Sequence, residues 1–191
     1  MNRKPEHAPQ AALHTDGASP WIRRFAPLVP EQGRVLDLAA GGGRHSLLFL
    51  ERGCRVVAVD RDVSALLPFK DRIEIIETDL EDGAGWSLGS GWDGIVVTNY
   101  LHRPLLPALA AALAPGGVVL YETFAIGNER FGRPANPDFL LRPGELLAAF
   151  SGLLIAGFEQ GIVETPRHAA IQRIAAVNSQ MLTILPPHLP G

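Results

Sequence analysis

The 191-residue chain lacks several features that mark particular classes of protein. It has one cysteine, Cys54, which excludes a disulfide framework and a multi-cysteine zinc site, and we predict no metal site. No apolar run reaches the roughly 18 residues of a membrane helix, and the stretch up to Pro20 lacks the apolar segment of a signal peptide. We therefore expect a cytoplasmic protein with no membrane partner, in which Cys54 is a small packing residue.

An excess of charge of one sign is also missing. The chain carries 17 lysines and arginines against 20 aspartates and glutamates, a formal charge of −3. Such a balance gives no net attraction to a phosphate backbone or an anionic bilayer, so we expect no nucleic-acid partner. Glycine and proline are abundant, with 20 and 16 residues, yet remain below the share of about 25–30% that indicates low complexity. The composition is that of a globular protein rich in turns.

The hydrophobic pattern predicts one α/β domain. Residues 1–18 are polar and aperiodic, which indicates a flexible N-terminal arm, and residues 19–191 form the single domain. Short runs rich in Val, Ile and Leu alternate with helical patterns, as in a mostly parallel sheet covered on both faces. The predicted strands cover residues 34–39, 55–60, 73–77, 94–99, 118–124, 153–164 and 169–178, the last two joined by a turn at 165–168.

Five helices are predicted around this sheet. The first begins at the Ser19 cap and ends near Phe25, before Pro27, and we expect it against the sheet edge or over a ligand site. The other predicted helices cover residues 44–52, 63–67, 103–114 and 143–150, the last with Pro143 in its first turn.

The strongest functional signal is the segment VLDLAAGGGRHS at residues 35–46. An apolar strand carries Asp37 near its end and passes through a glycine-rich turn into a helix, and Asp60 ends the next strand. Glycines at such a turn allow positive φ and close approach of a ligand to the backbone. The amides that open the helix suit an anionic group, and an acid at the end of the second strand suits the two hydroxyls of a ribose.

A glycine-rich turn alone also fits a dinucleotide-binding protein. Asp37 separates the two interpretations, because a carboxylate beside the turn would repel a pyrophosphate and favour a ligand with a positive ammonium or sulfonium group. The combination points to S-adenosylmethionine rather than NAD.

These residues resemble the motifs of class I S-adenosylmethionine-dependent methyltransferases over roughly residues 19–180. GGGRHS with the following LERG is similar to the small, tellurite-resistance-like branch of that family. The resemblance implies a Rossmann-like three-layer sandwich, with a mostly parallel seven-stranded sheet whose last strand is reversed. It also implies S-adenosylmethionine as cofactor and a methyl group transferred by in-line displacement.

The resemblance assigns cofactor-binding roles position by position. Asp37, Gly41 and Gly43 fall on the family's first motif, Asp60 falls on the ribose ligand, and Asp79 with Leu80 falls on the adenine motif. Asn99 and Tyr100 fall where the family lines the methyl-transfer site. The predicted cofactor-binding set is Asp37, Ala39, Gly41, Gly43, Arg44, Asp60, Arg61, Asp79, Leu80 and Asn99.

Three neighbouring positions carry separate expectations. Ala39 stands where the family has glycine, and if that position needs positive φ the alanine costs about 1 kcal/mol. Arg44 either reaches the carboxylate of the cofactor or is a solvated residue of the first helical turn. His45 is predicted on the helix surface.

The acceptor side is expected beyond the carboxyl ends of the fourth and fifth strands. His102 is the best-placed candidate base, with Tyr100 and Glu122 next, although His102 before Pro104 equally fits a helix cap. The 18 residues at 125–142 have no helical or strand period, and we predict an acceptor-binding loop or lid there. Its predicted substrate-binding residues are Glu129, Arg130, Phe131 and Arg133.

The leading hypothesis is a methyltransferase acting on a small-molecule acceptor, because the acceptor-side elements are short. The alternatives are a non-catalytic cofactor-binding or scaffold protein with the same fold and, less favoured because of Asp37 and the closing hairpin, a nicotinamide-dependent oxidoreductase. The protein is expected to be a monomer or a homodimer. The sequence leaves the accepting atom open.

Overall fold

The computed structural model describes residues 17–165 and 167–187. The predicted N-terminal arm therefore lies outside the described residues, except for Gly17 and Ala18. The predicted turn at 165–168 contains one residue outside them, Pro166.

A seven-stranded sheet of order β3-β2-β1-β4-β5-β7-β6 forms the centre of the molecule. The strands β1 to β5 run parallel, and β7 is antiparallel to both of its neighbours. The predicted mostly parallel sheet with a reversed last strand is confirmed. The strands are β1 Arg34–Leu38, β2 Arg55–Asp60, β3 Glu74–Glu77, β4 Trp92–Thr98, β5 Leu113–Phe124, β6 Leu154–Val163 and β7 Ala169–Val177.

Four α-helices cover the two faces of the sheet. They are α1 Pro20–Phe25, α2 Arg44–Glu51, α3 Leu106–Ala112 and α4 Glu145–Ala149. On one face, Trp21 and Phe25 of α1 and Phe49 of α2 are buried in a single apolar core. On the other face, Leu109 of α3 and Leu146 of α4 are buried in a second core. The three-layer α/β architecture follows from these two cores.

Helix α1 begins as predicted and lies on the face of the sheet. The Ser19 hydroxyl accepts a hydrogen bond from the amide of Trp21 at 3.1 Å, which caps the helix. The indole Nε1 of Trp21 donates to the carbonyl of Ile174 in β7 at 3.3 Å. The Phe25 ring lies where a β-carbon on Gly157 would come within 2.5 Å of it. This contact places α1 over β6 and β7.

Three predicted helices differ from those observed, two because of proline and one because of a glycine. At 63–67 there is no α-helix but a 3-10 turn at Leu67–Phe69, since Pro68 lacks an amide donor and disfavours a helical residue before it. The helix predicted to residue 114 ends at Ala112. Pro115 disfavours a helical conformation at Ala114, the residue before it. Pro143 precedes α4 rather than opening it, because Gly144 takes φ +69° at the cap.

None of the helices within the described ranges is long and apolar enough to cross a bilayer. The parallel strands β1 to β4 all end at one edge of the sheet, where the residues after each strand come together. That edge holds the candidate site.

Candidate functional site

The turn after β1 combines three residues with left-handed backbone conformations. Ala39, Gly41 and Gly43 have φ of +52°, +53° and +74°. Ala39 therefore has a positive φ at the position where glycine was expected. This conformation costs an alanine about 1 kcal/mol. Around Gly41 no atom of the described residues comes within 4 Å of where a β-carbon would be, which leaves room for a ligand against the backbone there.

Asp37 lies beneath this turn and faces helix α2. Its carboxylate is 1% exposed. The oxygen Oδ2 accepts hydrogen bonds from the Ser46 amide at 2.9 Å and the Ser46 hydroxyl at 2.6 Å. Burial raises the pKa of Asp37 to about 6, against the lowering effect of the Ser46 hydrogen bonds. Asp37 thus joins the end of β1 to the start of α2, and its direct interactions are with the protein.

Asp60 links the end of β2 to the same turn. Its Oδ2 accepts from the Gly41 amide at 2.8 Å, and its Oδ1 accepts from the Asp62 amide at 3.1 Å. An ionised carboxylate offers about four lone-pair positions, so each oxygen of Asp60 can still accept one more hydrogen bond. The half-buried carboxylate is therefore oriented by the backbone and retains two acceptor positions for a diol.

A cavity of about 320 Å³, here called the first cavity, opens beside Asp60. It brings together four of the predicted cofactor-binding residues at the ends of β2 and β3, with Ala39 at the β1 turn. Asp79 accepts a hydrogen bond from the Glu81 amide at 2.9 Å, which fixes the turn after β3. The lining residues are Ala39, Asp60, Arg61, Thr78, Asp79, Leu80, Glu81, Tyr100 and Phe139.

A second cavity of about 210 Å³, here called the middle cavity, continues from the first over the ends of β4 and β5. Glu81, Tyr100 and Phe139 line both cavities. Asn99, with φ +55°, lines the middle cavity. Glu81 and Phe139 were not singled out from the sequence, because their role depends on a contact between the β3 turn and the loop at 125–142.

Tyr100 contributes a polar group between the two cavities. Its hydroxyl oxygen is buried, and although it has no hydrogen bond of ordinary geometry within the described part of the chain, the Glu81 carboxylate is close enough to interact with it. Burial, followed by the negative charge of Glu81, the interaction of the hydroxyl with that carboxylate and the charge of Asp79, raises the pKa of the phenol. Tyr100 is therefore a neutral hydrogen-bond donor at physiological pH, placed beside Glu81 where the two cavities meet.

His102 and Glu122 occupy different surroundings. His102 is half-buried where the chain enters the 3-10 turn Arg103–Leu105, and its side chain forms no capping hydrogen bond. Glu122 forms an ion pair with Arg173 at 3.1 Å, and Arg173 also pairs with Glu159 at 2.6 Å. Neither side chain lines the first or the middle cavity.

The first residues of helix α2 bind the segment before α1. Arg44 donates from Nη1 to the carbonyl of Gly17 at 3.0 Å. The prediction that His45 lies on the helix surface is wrong, because its side chain is 1% exposed. The ring accepts from the Ser19 amide at Nε2 (3.2 Å), so Nδ1 carries the proton directed at the Thr98 hydroxyl, 3.3 Å away. Burial lowers the pKa of His45 to about 3.

The loop at 125–142 is held at several points. Arg103 donates from Nη1 to the Asp138 carbonyl at 2.6 Å and from Nη2 to the Leu140 carbonyl at 2.8 Å, while its Nε pairs with Glu145 at 2.6 Å. The buried Asn128 donates to the Pro134 carbonyl at 3.0 Å. The backbone of the predicted acceptor-binding loop is thus fixed, and Phe139, 47% exposed, projects beside the cavities.

The four predicted substrate-binding residues have separate positions on this loop. Glu129 accepts from the Gly127 amide at 2.8 Å, and Arg130 lines a cavity of about 210 Å³ against β6 and β7. Phe131 makes an edge contact with the ring of His168, with centroids 6.0 Å apart. Arg133 lines a further cavity that also contains Phe139. Of the four, Arg133 is the one adjacent to the middle cavity.

The sheet order, the reversed last strand and the glycine turn after β1 define the class I methyltransferase fold. The structure matches TehB from Haemophilus influenzae with a TM-score of 0.68 at 19% identity, over 88% of this chain and 63% of that one. It also matches 1,6-didemethyltoxoflavin-N1-methyltransferase from Burkholderia thailandensis, solved with 1,6-didemethyltoxoflavin and S-adenosylhomocysteine, with a TM-score of 0.60 at 19% identity over 88% and 80% of the two chains.

Sequence relatives are methyltransferases as well. A trans-aconitate 2-methyltransferase from Variovorax paradoxus is 32% identical over 99 residues, 48% of this chain and 38% of that protein. A ribosomal RNA small subunit methyltransferase H from Gemmatimonas aurantiaca is 40% identical over 102 residues, 47% of this chain and 32% of that protein. The chain thus matches well under half the length of these relatives. No family model matches the sequence.

Proposed function

We propose that this protein is an S-adenosylmethionine-dependent methyltransferase with a small-molecule acceptor. The observation that carries the proposal is the pair of open acceptor positions on Asp60, which faces the first cavity and is oriented by the Gly41 and Asp62 amides. The fold shared with TehB and the names of the sequence relatives support it. A cytoplasmic location and a monomeric or homodimeric state belong to the same proposal.

The residues of the first cavity fit the parts of the cofactor. Asp60 would accept the two ribose hydroxyls, Asp79 with Leu80 would contact the adenine, and the open backbone at Gly41 would lie along the methionine part. Arg61 is exposed at the rim. When bound, S-adenosylmethionine supplies a methyl group activated by a sulfonium charge.

Asp37, Gly43 and Arg44 have supporting roles in this proposal. Asp37 and Gly43 hold the turn in shape from below, and Arg44 holds Gly17 through its carbonyl. Asn99, at the end of β4, would contact the cofactor from the side of the middle cavity.

Tyr100 and Glu81 would handle the acceptor. The neutral Tyr100 phenol donates a hydrogen bond that orients the accepting atom, and its raised pKa keeps it protonated, so Tyr100 is not the base. The bound cofactor would supply its methyl group to a lone pair of the accepting atom, and S-adenosylhomocysteine would be the other product. A proton lost from the acceptor goes to the Glu81 carboxylate and then to water. His102 and Glu122 remain alternative bases, each requiring a side-chain movement into the middle cavity.

Calorimetric titration with S-adenosylhomocysteine tests the cofactor part of the proposal. We expect saturable binding to the wild-type chain and about tenfold weaker binding to Asp60→Asn, because an amide nitrogen cannot accept from a ribose hydroxyl. Asp62→Asn is the matched control: it removes the same charge two residues away, from a fully exposed carboxylate outside the first cavity, and should bind as the wild type does.

Two results would contradict the proposal. A saturable response to NAD without one to S-adenosylhomocysteine would support an oxidoreductase. Binding of S-adenosylhomocysteine without methyl transfer to any member of a set of small thiols, amines, hydroxyls, carboxylates and oxyanions would support a cofactor-binding scaffold.

A further inference from the structure

An open cavity of about 510 Å³ lies beyond the middle cavity, on the side away from Asp60. We call it the outer cavity. It shares Phe124, Pro134 and Phe139 with the middle cavity, so the three cavities follow one another along the sheet edge. The outer cavity is lined by Phe124, Arg133, Pro134, Ala135, Asn136, Phe139 and Arg167.

Among the described residues, two arginines and no acidic residue line the outer cavity. Within the described part of the chain, neither Arg133 nor Arg167 forms an ion pair or a side-chain hydrogen bond. The Arg167 guanidinium instead lies over the Phe124 ring, 5.2 Å from its centroid. Both guanidinium groups are therefore available to an anion that enters the outer cavity.

The charge changes sign along the row of cavities. Asp60, Asp79 and Glu81 line the first cavity, and among the described residues Arg61 is the one basic residue there. An anionic group would be repelled at that end and attracted at the other. A ligand that spans the middle and outer cavities would therefore place a negative group between Arg133 and Arg167.

The remaining wall of the outer cavity is apolar. Phe124, Pro134 and Phe139 form a surface that continues into the middle cavity, and it offers hydrocarbon contact to the body of a ligand. An inorganic oxyanion would meet the two arginines but leave this surface unused. An organic carboxylate with a flat apolar body uses both.

We infer that the methyl acceptor is an organic carboxylate, held by Arg133 and Arg167 in the outer cavity. The carboxylate serves to bind the acceptor and is not the group that is methylated, because the proposed function places the accepting atom beside Tyr100, which lines the middle cavity and not the outer one. The product keeps its negative charge. This inference rests on the proposed function.

Three probes with the same apolar body and different head groups test it. The probes are 3-phenylpropionate, 3-phenylpropanamide and 3-phenylpropylamine, with sulfate as the inorganic anion. Each is titrated into the full ¹⁵N-labelled chain without cofactor, and the backbone amide shifts of Phe124, Ala135, Asn136 and Phe139 report binding at the outer cavity. We expect 3-phenylpropionate to bind about tenfold more tightly than its amide, and the amine and sulfate to bind more weakly still.

The variant Arg133→Gln/Arg167→Gln identifies the groups responsible. It should lower the affinity for 3-phenylpropionate about tenfold and leave that for 3-phenylpropanamide unchanged. Arg72→Gln, an exposed arginine before β3 and outside these cavities, is the matched control and should behave as the wild type. Equal affinity for carboxylate and amide, a preference that survives in the double variant, sulfate binding as tightly as 3-phenylpropionate, or no shift with the carboxylate would each overturn the inference.

The failure of the inference about the acceptor can be told apart from the failure of the proposed function. Binding of S-adenosylhomocysteine should be the same in the double arginine variant and the wild type, since neither arginine lines the first cavity. Loss of cofactor binding in the wild type would defeat the proposed function, whereas normal cofactor binding without a carboxylate preference would defeat the inference about the acceptor alone.

Discussion

At the scale of single residues, Gly43 satisfies two requirements that a side chain would violate. Its φ of +74° lies in the left-handed region, and a β-carbon there would come within 2.7 Å of Leu66 Cδ2. Gly42, the residue before it, has neither constraint: no described atom lies within 4 Å of where its β-carbon would be. The two neighbours separate a required glycine from one that only lies in a turn.

We expect Gly43→Ala to lower the free energy of unfolding by about 2 kcal/mol, from backbone strain and displacement of Leu66. Gly42→Ala should stay within about 0.5 kcal/mol of the wild type. Urea unfolding followed by circular dichroism measures both. Equal destabilisation of the two variants would show that the turn tolerates a side chain at Gly43.

The sequence indicated which residues gather at the sheet edge better than it indicated what each one contacts. Asp60 and Asp79 line the first cavity, as their positions after β2 and β3 implied. The burial of Asp37 against Ser46 and of His45 against Thr98 was not predictable from spacing, because both contacts depend on how α2 packs on the sheet. The burial of the Tyr100 hydroxyl beside Glu81 likewise has no signature in a sequence.

At the scale of elements, Arg103 connects the loop at 125–142 to the start of α3 and α4. It joins two carbonyls of the loop, Asp138 and Leu140, to the carboxylate of Glu145. These contacts lie on either side of Phe139, the loop residue that lines all three cavities. Arg103 therefore fixes the position of a cavity wall without touching the cavities itself.

We predict that Arg103→Met frees this loop. Hydrogen exchange at the amides of Phe139, Leu140 and Leu141 should speed up at least tenfold, because the guanidinium contacts that hold their neighbours are lost. Mass spectrometry of the exchanged chain measures the effect. Arg142→Gln is the control, since the hydrogen bond that this residue donates to Glu145 comes from its backbone amide. Unchanged exchange in Arg103→Met would mean that the backbone hydrogen bonds of Leu141 to Phe124 and Ile126, together with Asn128, hold the loop without Arg103.

The strands were predicted to within a few residues at most ends because they are buried on both faces and their apolar runs are continuous. Helix ends were less predictable. At α4, the sequence favoured Pro143 as the first residue, but the positive φ of Gly144 delays the helix to Glu145. The long-range contacts of Arg103, 35 to 42 residues away in the chain, could not be inferred from local patterns.

At the scale of the whole molecule, two buried groups on opposite sides of the β1 turn make the free energy of unfolding depend on pH in opposite directions. The pKa of Asp37 is raised in the folded protein, so its contribution to the free energy of unfolding is largest below about pH 4 and is lost as the pH rises through about 6. His45 has a lowered folded pKa, so its contribution is present above about pH 6.5 and is lost as the pH falls toward 3. Between pH 4 and 6 the two effects largely cancel.

Replacing one of the two groups should reveal the effect of the other on the pH dependence of the free energy of unfolding. Asp37→Asn can keep both Ser46 hydrogen bonds, since they share one oxygen, and it stays neutral at every pH. Relative to the wild type, its free energy of unfolding should rise between pH 4 and 6 by up to about 3 kcal/mol. His45→Gln should show the opposite trend, with its greatest relative advantage at low pH. Urea unfolding at several pH values measures both differences, and parallel curves for Asp37→Asn and the wild type would show that Asp37 ionises in the folded protein as it does in the unfolded chain.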